Sequence, residues 1–315
     1  MIGGGRILVA GEALFDLWLE DGEVHGRAGG GPFNTARTLG RLREPVVYLG
    51  ALSRDGFGRQ LRELLAADGV ALEAVVDSDA PSTLALADID GRGGARYGFW
   101  RDGTAAGSMT PEVTLAAAPA DVDVLHVGTL GLVFEPTATA IEALVEHLAD
   151  RTAIVLDPNI RPAAIVDERG YRERLARILS RASVVKVSDE DLGWLAPELP
   201  AEKAARSLLE AGPDVVLLTR GAVGVVVFTA AGTREVLAPQ VEVVDTIGAG
   251  DAFCAGFLVG WRATRRAGRP ADDVDAVADA AALGVLVASM TCERTGASPP
   301  TLDEFEARRA GRVAG

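Results

Sequence analysis

The sequence predicts an α/β protein built on a mostly parallel sheet, with a small antiparallel insertion. Three observations point there. From about residue 122 onward, short apolar runs alternate with longer segments of helical periodicity. Near residues 83–101 that rhythm gives way to two strand-like runs around a glycine-rich turn. Two further glycine-rich stretches, 28–36 and 245–251, each lead into a helical pattern, and open α/β sheets bind ligands at such strand-to-helix turns.

At 315 residues the chain can bury a substantial core. No linker or internal repeat is evident, so one domain spanning residues 1–315 is expected. The net charge of −14 argues against a nucleic-acid or anionic-membrane partner, which would need a basic surface. Cys254 and Cys292 are the only cysteines, and His25, His126 and His147 are scattered, so neither disulfides nor a zinc site is suggested. The N-terminus has no basic region followed by a long apolar segment, and no stretch approaches the roughly 18 apolar residues of a membrane helix. A cytoplasmic location is expected.

Arg6 to Ala10 reads as a buried strand ending at Gly11. A dinucleotide-binding turn would follow it with G-x-G-x-x-G, but Gly11-Glu12-Ala13-Leu14-Phe15-Asp16 stands there. No P-loop pattern occurs, and Lys186 and Lys203 are the only lysines. Gly29, Gly30 and Gly31 open a helix running through Leu42, with Pro32 suited to its first turn. There Asn34 offers both a donor and an acceptor to a hydroxyl. Thr83–Ile89 and Ala95–Arg101 flank Asp90-Gly91-Arg92-Gly93-Gly94 as a hairpin, which suits a lid over a cleft. An aromatic at Phe99 fits a sugar ring, and the Arg101 fork fits a carboxylate.

Strands are then expected at 124–127, 153–157, 183–187, 214–219 and 224–229. Helices are expected at about 136–149, 168–181 and 201–211. Asp157-Pro158-Asn159-Ile160-Arg161 lies at a strand's carboxyl end, where Asp157 and Asn159 serve equally well as turn formers and Arg161 can meet substrate or phosphate. Lys186 to Asp191 ends the next strand, and Thr219-Arg220-Gly221-Ala222-Val223-Gly224 the one after. The hydrophobic run Val241–Val244 leads into Asp245-Thr246-Ile247-Gly248-Ala249-Gly250-Asp251. Uncovered backbone N–H groups at a helix start favour an anion. Asp251, in the first turn, is either a capping device or a base beside that anion. A base at an anion site suggests phosphoryl transfer to a hydroxyl. Arg262, Arg265, Arg266 and Arg269 read as a solvated helix end.

Asp245 to Asp251, continued by Ala252-Phe253 and small residues Ala255 and Gly256, resembles the C-terminal signature of the ribokinase-like sugar kinases, the PfkB family. Gly30-Gly31…Asn34 resembles its N-terminal motif, although Arg43 and Ser53 stand where the family usually has glycines. Gly11 to Asp16 is similar to fructokinase-like members, and Asp157-x-Asn159-x-Arg161 resembles a motif of both fructokinase and ketodeoxygluconate kinase members. Phe99 to Ala106 is similar to a run in 2-keto-3-deoxygluconate kinases.

The resemblance implies a ribokinase-like three-layer α/β/α sandwich with a small β-lid made by segments about 12–28 and 83–105. It implies transfer of the ATP γ-phosphoryl group to a sugar hydroxyl, with Asp251 as base and Gly248, Ala249 and Gly250 as the anion hole. Asp16, Gly30, Gly31, Asn34, Phe99, Arg101 and Arg161 would hold the sugar. Lys186, Thr219, Gly221, Gly224, Gly248 and Gly250 would hold the nucleotide, with the helix near 276–289 and Gly296-Ala297-Ser298 walling the adenine. Mg²⁺ would be met through water by Glu190 and Asp191, because Ser188 and Asp191 occupy the family's Asn-x-x-Glu positions. Asp245 and Ile247 are the positions open to K⁺. Fructose or a related ketose is the leading substrate. A 2-keto-3-deoxygluconate kinase, a nucleoside kinase and a non-catalytic sugar-binding regulator are the alternatives, and a homodimer through the lid is left open.

Overall fold

Alternation of side chains along the strands sorts the core into two faces, and the helices follow that division. The computed structural model describes residues 4–20, 22–89 and 95–313. In chain order the elements begin with β1 (Arg6–Ala10), β2 (Leu14–Glu20), β3 (Glu23–Gly29), α1 (Gly31–Arg41), β4 (Val46–Leu49), β5 (Ala51–Ser53), α2 (Gly56–Ala67) and β6 (Val76–Ser78). Next come β7 (Leu84–Ile89), β8 (Ala95–Trp100), α3 (Pro111–Ala117), β9 (Val122–Gly128), α4 (Thr137–Leu148), β10 (Ala153–Asp157) and α5 (Glu168–Leu179). The chain continues through β11 (Val184–Ser188), α6 (Asp189–Leu195), α7 (Ala201–Glu210), β12 (Val215–Thr219), β13 (Gly224–Thr229) and β14 (Gly232–Leu237). It closes with α8 (Ala249–Arg266), α9 (Val274–Cys292) and α10 (Leu302–Val313).

The large sheet has the order β14-β13-β12-β11-β10-β9-β1-β4, parallel from β12 to β4 and antiparallel at β13 and β14. Its central strands are buried on both sides, as expected where helices cover both faces. Leu8, Leu125, Leu156, Val185 and Leu218 face α4, α5 and α7, through Leu144, Leu175 and Ala205. Val9, Val124, Val155, Val184 and Leu217 face α1, α8 and α9, through Phe33, Phe257 and Ala281. This is the three-layer sandwich expected.

A second sheet, β3-β2-β7-β8, pairs β2 and β7 in parallel, so two segments far apart in sequence build one lid. The hairpin turn expected at 90–94 lies outside the described residues. Leu14 and Ala85, with Phe99 against them, pack the lid onto Leu130, Phe134 and Ala164.

Two expectations are corrected. The arginines after residue 261 are not all a solvated end: Arg262 is fully buried. Its guanidinium pairs with Glu44, donates to Asp123 at 3.2 Å and to the Gly5 carbonyl at 2.5 Å, so it locks α8 to the amino end of the sheet. Periodicity cannot separate such an arginine from its exposed neighbour Arg266. Second, α9 is long and apolar enough to cross a membrane by length and composition, contrary to the expectation that nothing approached that length. Two-thirds of its apolar window is buried in the protein, against α8 and the β13–β14 edge, which is how a core helix comes to look alike. The hydrophobic run Val241–Val244 that leads into the 245–251 turn is irregular, and Val243 and Val244 are exposed. The departure at Arg43 has a visible reason: it takes φ +58°, the left-handed conformation that glycine adopts freely and other residues at a cost.

Breaking the Arg262 network strands two carboxylates. Arg262→Ala should destabilise the fold by about 3–5 kcal/mol in chemical denaturation, whereas exposed Arg266→Ala should cost under about 0.5 kcal/mol. Equal, small losses would show that the buried ion pairs contribute nothing.

Candidate functional site

Helices α1 and α8 both start at the carboxyl edge of the large sheet, and their first turns face each other. Asn34 is the fourth residue of α1 and Asp251 the third of α8. Asn34 Nδ2 donates to Asp251 Oδ2 at 2.9 Å, and both side chains are buried. The capping reading of Asp251 therefore falls away: its carboxylate accepts from Asn34, and α8 has no side-chain cap. Asn34 Oδ1, also buried, has no partner and is left to accept from a ligand hydroxyl.

Burial pushes Asp251 up to about 7, and Asp157 adds to the rise, while Asn34, Lys186 and Arg161 oppose it. A carboxylate near neutrality in a closed site is matched to accept a proton at physiological pH.

Gly248 supplies the turn into α8 at φ +77°, where a Cβ would stand 2.6 Å from that of Ala297. The Ala249 amide is turned back to the Thr246 carbonyl at 3.2 Å, so it is less available to an anion than the sequence suggested. The amides of Gly250 and Asp251, second and third in the helix, belong to the first turn, whose N–H groups lack intrahelical acceptors. They aim the positive end of an 18-residue helix at the opening. Lys186 reaches the same place, because a Cβ on Gly250 would stand 3.3 Å from its Nζ.

Gly31 marks the closest approach on the other side. A Cβ there would collide with Thr129 Oγ1 and lie 3.3 Å from Asp251 Oδ1. Gly30 takes φ +110° just before α1. Asp16, half-buried on β2, lies against Gly29 and across from Arg27. Burial raises its carboxyl, opposed by the positive charges of Arg27 and Arg161. Arg161 itself is exposed. Phe99 meets Phe134 edge-on at 5.7 Å, and the Arg101 guanidinium lies 5.0 Å over the same ring. The lid end bearing them thus reaches the loop after Arg161, through Phe99 against Ala164.

Thr219, Gly221 (φ +51°) and Gly224 (φ +121°) line the next strand end, beside Ser188 in register and away from the Asp251 cluster. Glu190 is exposed. Asp191 is buried, and both its oxygens are taken: Oδ2 by the Ser188 amide and hydroxyl, Oδ1 by the Ile160 amide at 2.7 Å. It closes a capping box on α6 and holds the 157–161 turn. Asp245 accepts from Ile247 and Gly296 amides at 3.0 and 2.9 Å and meets Arg27 at 3.4 Å, clasping the two loops beside Gly248.

Sequence reasoning gave no site role to three neighbours of the cluster, Glu12, Thr129 and Cys254, and named Asn159 only as a turn former. Glu12 is buried, accepts from the Gly31 and Gly131 amides at 3.2 and 2.7 Å, and is pushed by burial up to about 8. It steadies the start of α1; a glutamate directly after a buried strand was the available signal. Thr129 (φ +53°) directly follows β9, and Asn159 (φ +39°) follows β10; Asn159 Nδ2 donates to Thr129 Oγ1 at 3.4 Å. Left-handed backbone at two non-glycine residues beside a buried carboxylate is strain of the kind found at functional sites. Cys254 donates to Asp157 Oδ2 at 3.4 Å.

Among the described residues no group of three His, Cys, Asp or Glu could hold a metal ion. With Asp191 spent on its cap and Glu190 in solvent, these two carboxylates do not converge on one point as a preassembled ligand pair.

Comparison with known proteins follows the same outline. The model for pfkB family carbohydrate kinases matches residues 6–304. A fructokinase of Rhizobium leguminosarum bv. trifolii is 37% identical over 257 residues, covering 80% of this chain and 78% of its own. The crystal structure of a Xylella fastidiosa fructokinase with bound ATP superposes with a TM-score of 0.86 at 26% identity, covering 98% of this chain and 99% of its own. That of a Salmonella enterica aminoimidazole riboside kinase, complexed with aminoimidazole riboside and an ATP analogue, gives 0.84 at 25% identity, with 96% and 99% covered.

The site's electrostatics can be read directly. Carbon-13 NMR titration of the Asp251 carboxyl should give a midpoint near 7, protonated below and ionised above. Asn34→Ala should raise it, because a donor to the ionised form is lost. A midpoint in the ordinary carboxylate range near 4 would contradict the closed, desolvated site.

Proposed function

Because the chain belongs to the pfkB family of carbohydrate kinases, we propose that its site phosphorylates a ketose, fructose first, with ATP as donor and Asp251 as general base. The chain is an ATP-dependent sugar kinase, and fructokinases are among the relatives it matches. The observation that carries the mechanism is the buried Asp251 carboxylate, held by Asn34 at the opening of α8.

On this reading the acceptor hydroxyl sits between Asp251 and Gly31, and its proton passes to an Asp251 oxygen as the hydroxyl oxygen bonds to the γ-phosphorus of ATP and the bond to the bridging β–γ oxygen breaks, releasing ADP. Asn34 orients the carboxylate and presents Oδ1 to a neighbouring hydroxyl. Asp16 accepts from another. The first-turn amides of α8 and the Lys186 ammonium face the charge that gathers on the transferring phosphoryl group. Thr219, Gly221 and Gly224 carry the rest of the nucleotide along the strand ends. Mg²⁺ bound with ATP would neutralise phosphate charge, with Glu190 reaching it through water. Only the backbone carbonyls of Asp245 and Ile247 remain for K⁺, since the Asp245 carboxylate is engaged by Arg27 and two amides.

The proposal treats residues 1–315 as one catalytic domain in a cytoplasmic enzyme, where ATP is at hand. It extends to pairing of two copies through the lid, where Leu19, Val24 and Trp100 are exposed. Arg101 favours a second reading, a keto-acid acceptor: its nearest carboxylate among the described residues is Asp102 at 3.8 Å, and a fork over an aromatic ring suits an incoming carboxylate.

Two experiments test this. ADP release with Mg-ATP should be strongest with fructose among fructose, 2-keto-3-deoxygluconate, ribose and adenosine. A clear preference for the keto acid would replace the first reading by the second. Asp251→Asn should bind fructose and ATP normally while turnover falls by about 10²–10⁴-fold. Turnover like that of the wild type would remove Asp251 from the mechanism.

A further inference from the structure

Beneath the first turn of α8 lies a buried charge pair. Asp157 is 3% exposed at the end of β10, and Lys186 is 5% exposed on the neighbouring β11. Lys186 Nζ donates to both Asp157 oxygens at 3.2 Å, and the Cys254 thiol donates to Oδ2 at 3.4 Å. Cys254 follows Asp251 by three residues, so the two side chains share a face of α8. Lys186 approaches the same turn at Gly250. The pair therefore touches α8 on both sides of Asp251.

Scaffolding alone is a weak reason for such a pair. Desolvating two charges costs several kcal/mol per ion, and well-packed apolar residues often serve the fold as well or better. Nor is the surrounding polar network complete. His126, two residues from the end of β9, is buried with neither ring nitrogen partnered; burial and Lys186 keep it neutral, down to about 4. What the pair does have is position, with opposite charges stacked below one carboxylate.

We propose that Asp157 is a positioning residue that fastens α8 and Lys186 to the sheet and, through the opposed charges of the pair, sets how readily Asp251 takes a proton. The inference rests on the reading of Asp251 as base. Every charged or titratable neighbour of Asp251 enters the balance: Asp157 from β10, Glu12 from the turn after β1, Lys186 from β11, Arg161 from the loop after β10, and the neutral Cys254 from α8 itself. Asp157 disfavours the ionised form, while Lys186 and Arg161 favour it; Glu12, itself raised to about 8 by burial, is the neighbour largely protonated near neutral pH.

The test is carbon-13 titration of Asp251 in the wild type, Asp157→Asn, Lys186→Gln and the double variant, with the acid limb of single-turnover phosphoryl transfer to fructose measured alongside. Removing the nearby negative charge in Asp157→Asn should lower the Asp251 midpoint by about one pH unit, and removing the positive charge in Lys186→Gln should raise it by about as much. The double variant should return towards the wild type, and Asp157→Glu, which keeps the charge, should stay near it. An unmoved midpoint in folded Asp157→Asn, or shifts of the same sign in both single variants, would overturn the proposal. Should Asp157→Asn fail to fold, a raised midpoint in Lys186→Gln that returns in the double variant supports it, and any other pattern there overturns it. If Asp251→Asn loses turnover while these midpoints stay fixed, this inference alone fails; if Asp251→Asn keeps turnover, the base assignment fails first.

Discussion

One hydrogen bond, from Asn34 to Asp251, joins helices whose first turns are 217 residues apart in sequence. It can form only because α1 and α8 start side by side at the carboxyl edge of the sheet, where β1 lies next to the edge strand β4. Much of the remaining architecture serves that alignment. Arg262 anchors the far end of α8 to Asp123 and Glu44. Cys254 ties its beginning to Asp157, and Glu12 holds the first amide of α1. A shift of either helix by an ångström would separate the acceptor from its donor, and geometric precision of that order governs catalytic positioning.

The same constraint explains why the polar cluster is buried. Asp251, Asn34, Glu12 and Asp157 are all under a tenth exposed, and three of these carboxyls are held above their usual range by desolvation. Each has found partners, so the cost of burying them is moderated by specific hydrogen bonds instead of by water. The lid contributes from above. Its inner residues pack on Leu130 and Phe134, so the sheet that covers the opening is itself seated on the wall of the cleft.

Polar residues with two reasonable uses were where sequence reasoning strained. Asp191 stands where a glutamate was sought for magnesium, yet its oxygens close a helix cap and hold a neighbouring turn. Arg262 lies in a basic run that reads as solvated, yet it is the most enclosed charge on α8. Thr129 carries no motif at all, and its left-handed backbone becomes visible only when β9 and β10 are side by side. In each case the local pattern was compatible with several partners, and the partner came from a distant segment.

By itself the sequence determined the alternation of strands and helices, the glycine-rich starts of α1 and α8, and the carboxylate in the α8 first turn. These are local properties: periodicity, turn chemistry and the absence of side chains at helix starts act within a few residues. Only the tertiary structure decided which groups share the interior. It placed Lys186 against Asp157, Asn34 against Asp251 and Arg262 against Glu44, and it raised the Asp251 carboxyl to about 7. Charge, burial and proton affinity depend on what lies within a few ångströms, and in a parallel sheet those neighbours come from strands whose connections span tens of residues.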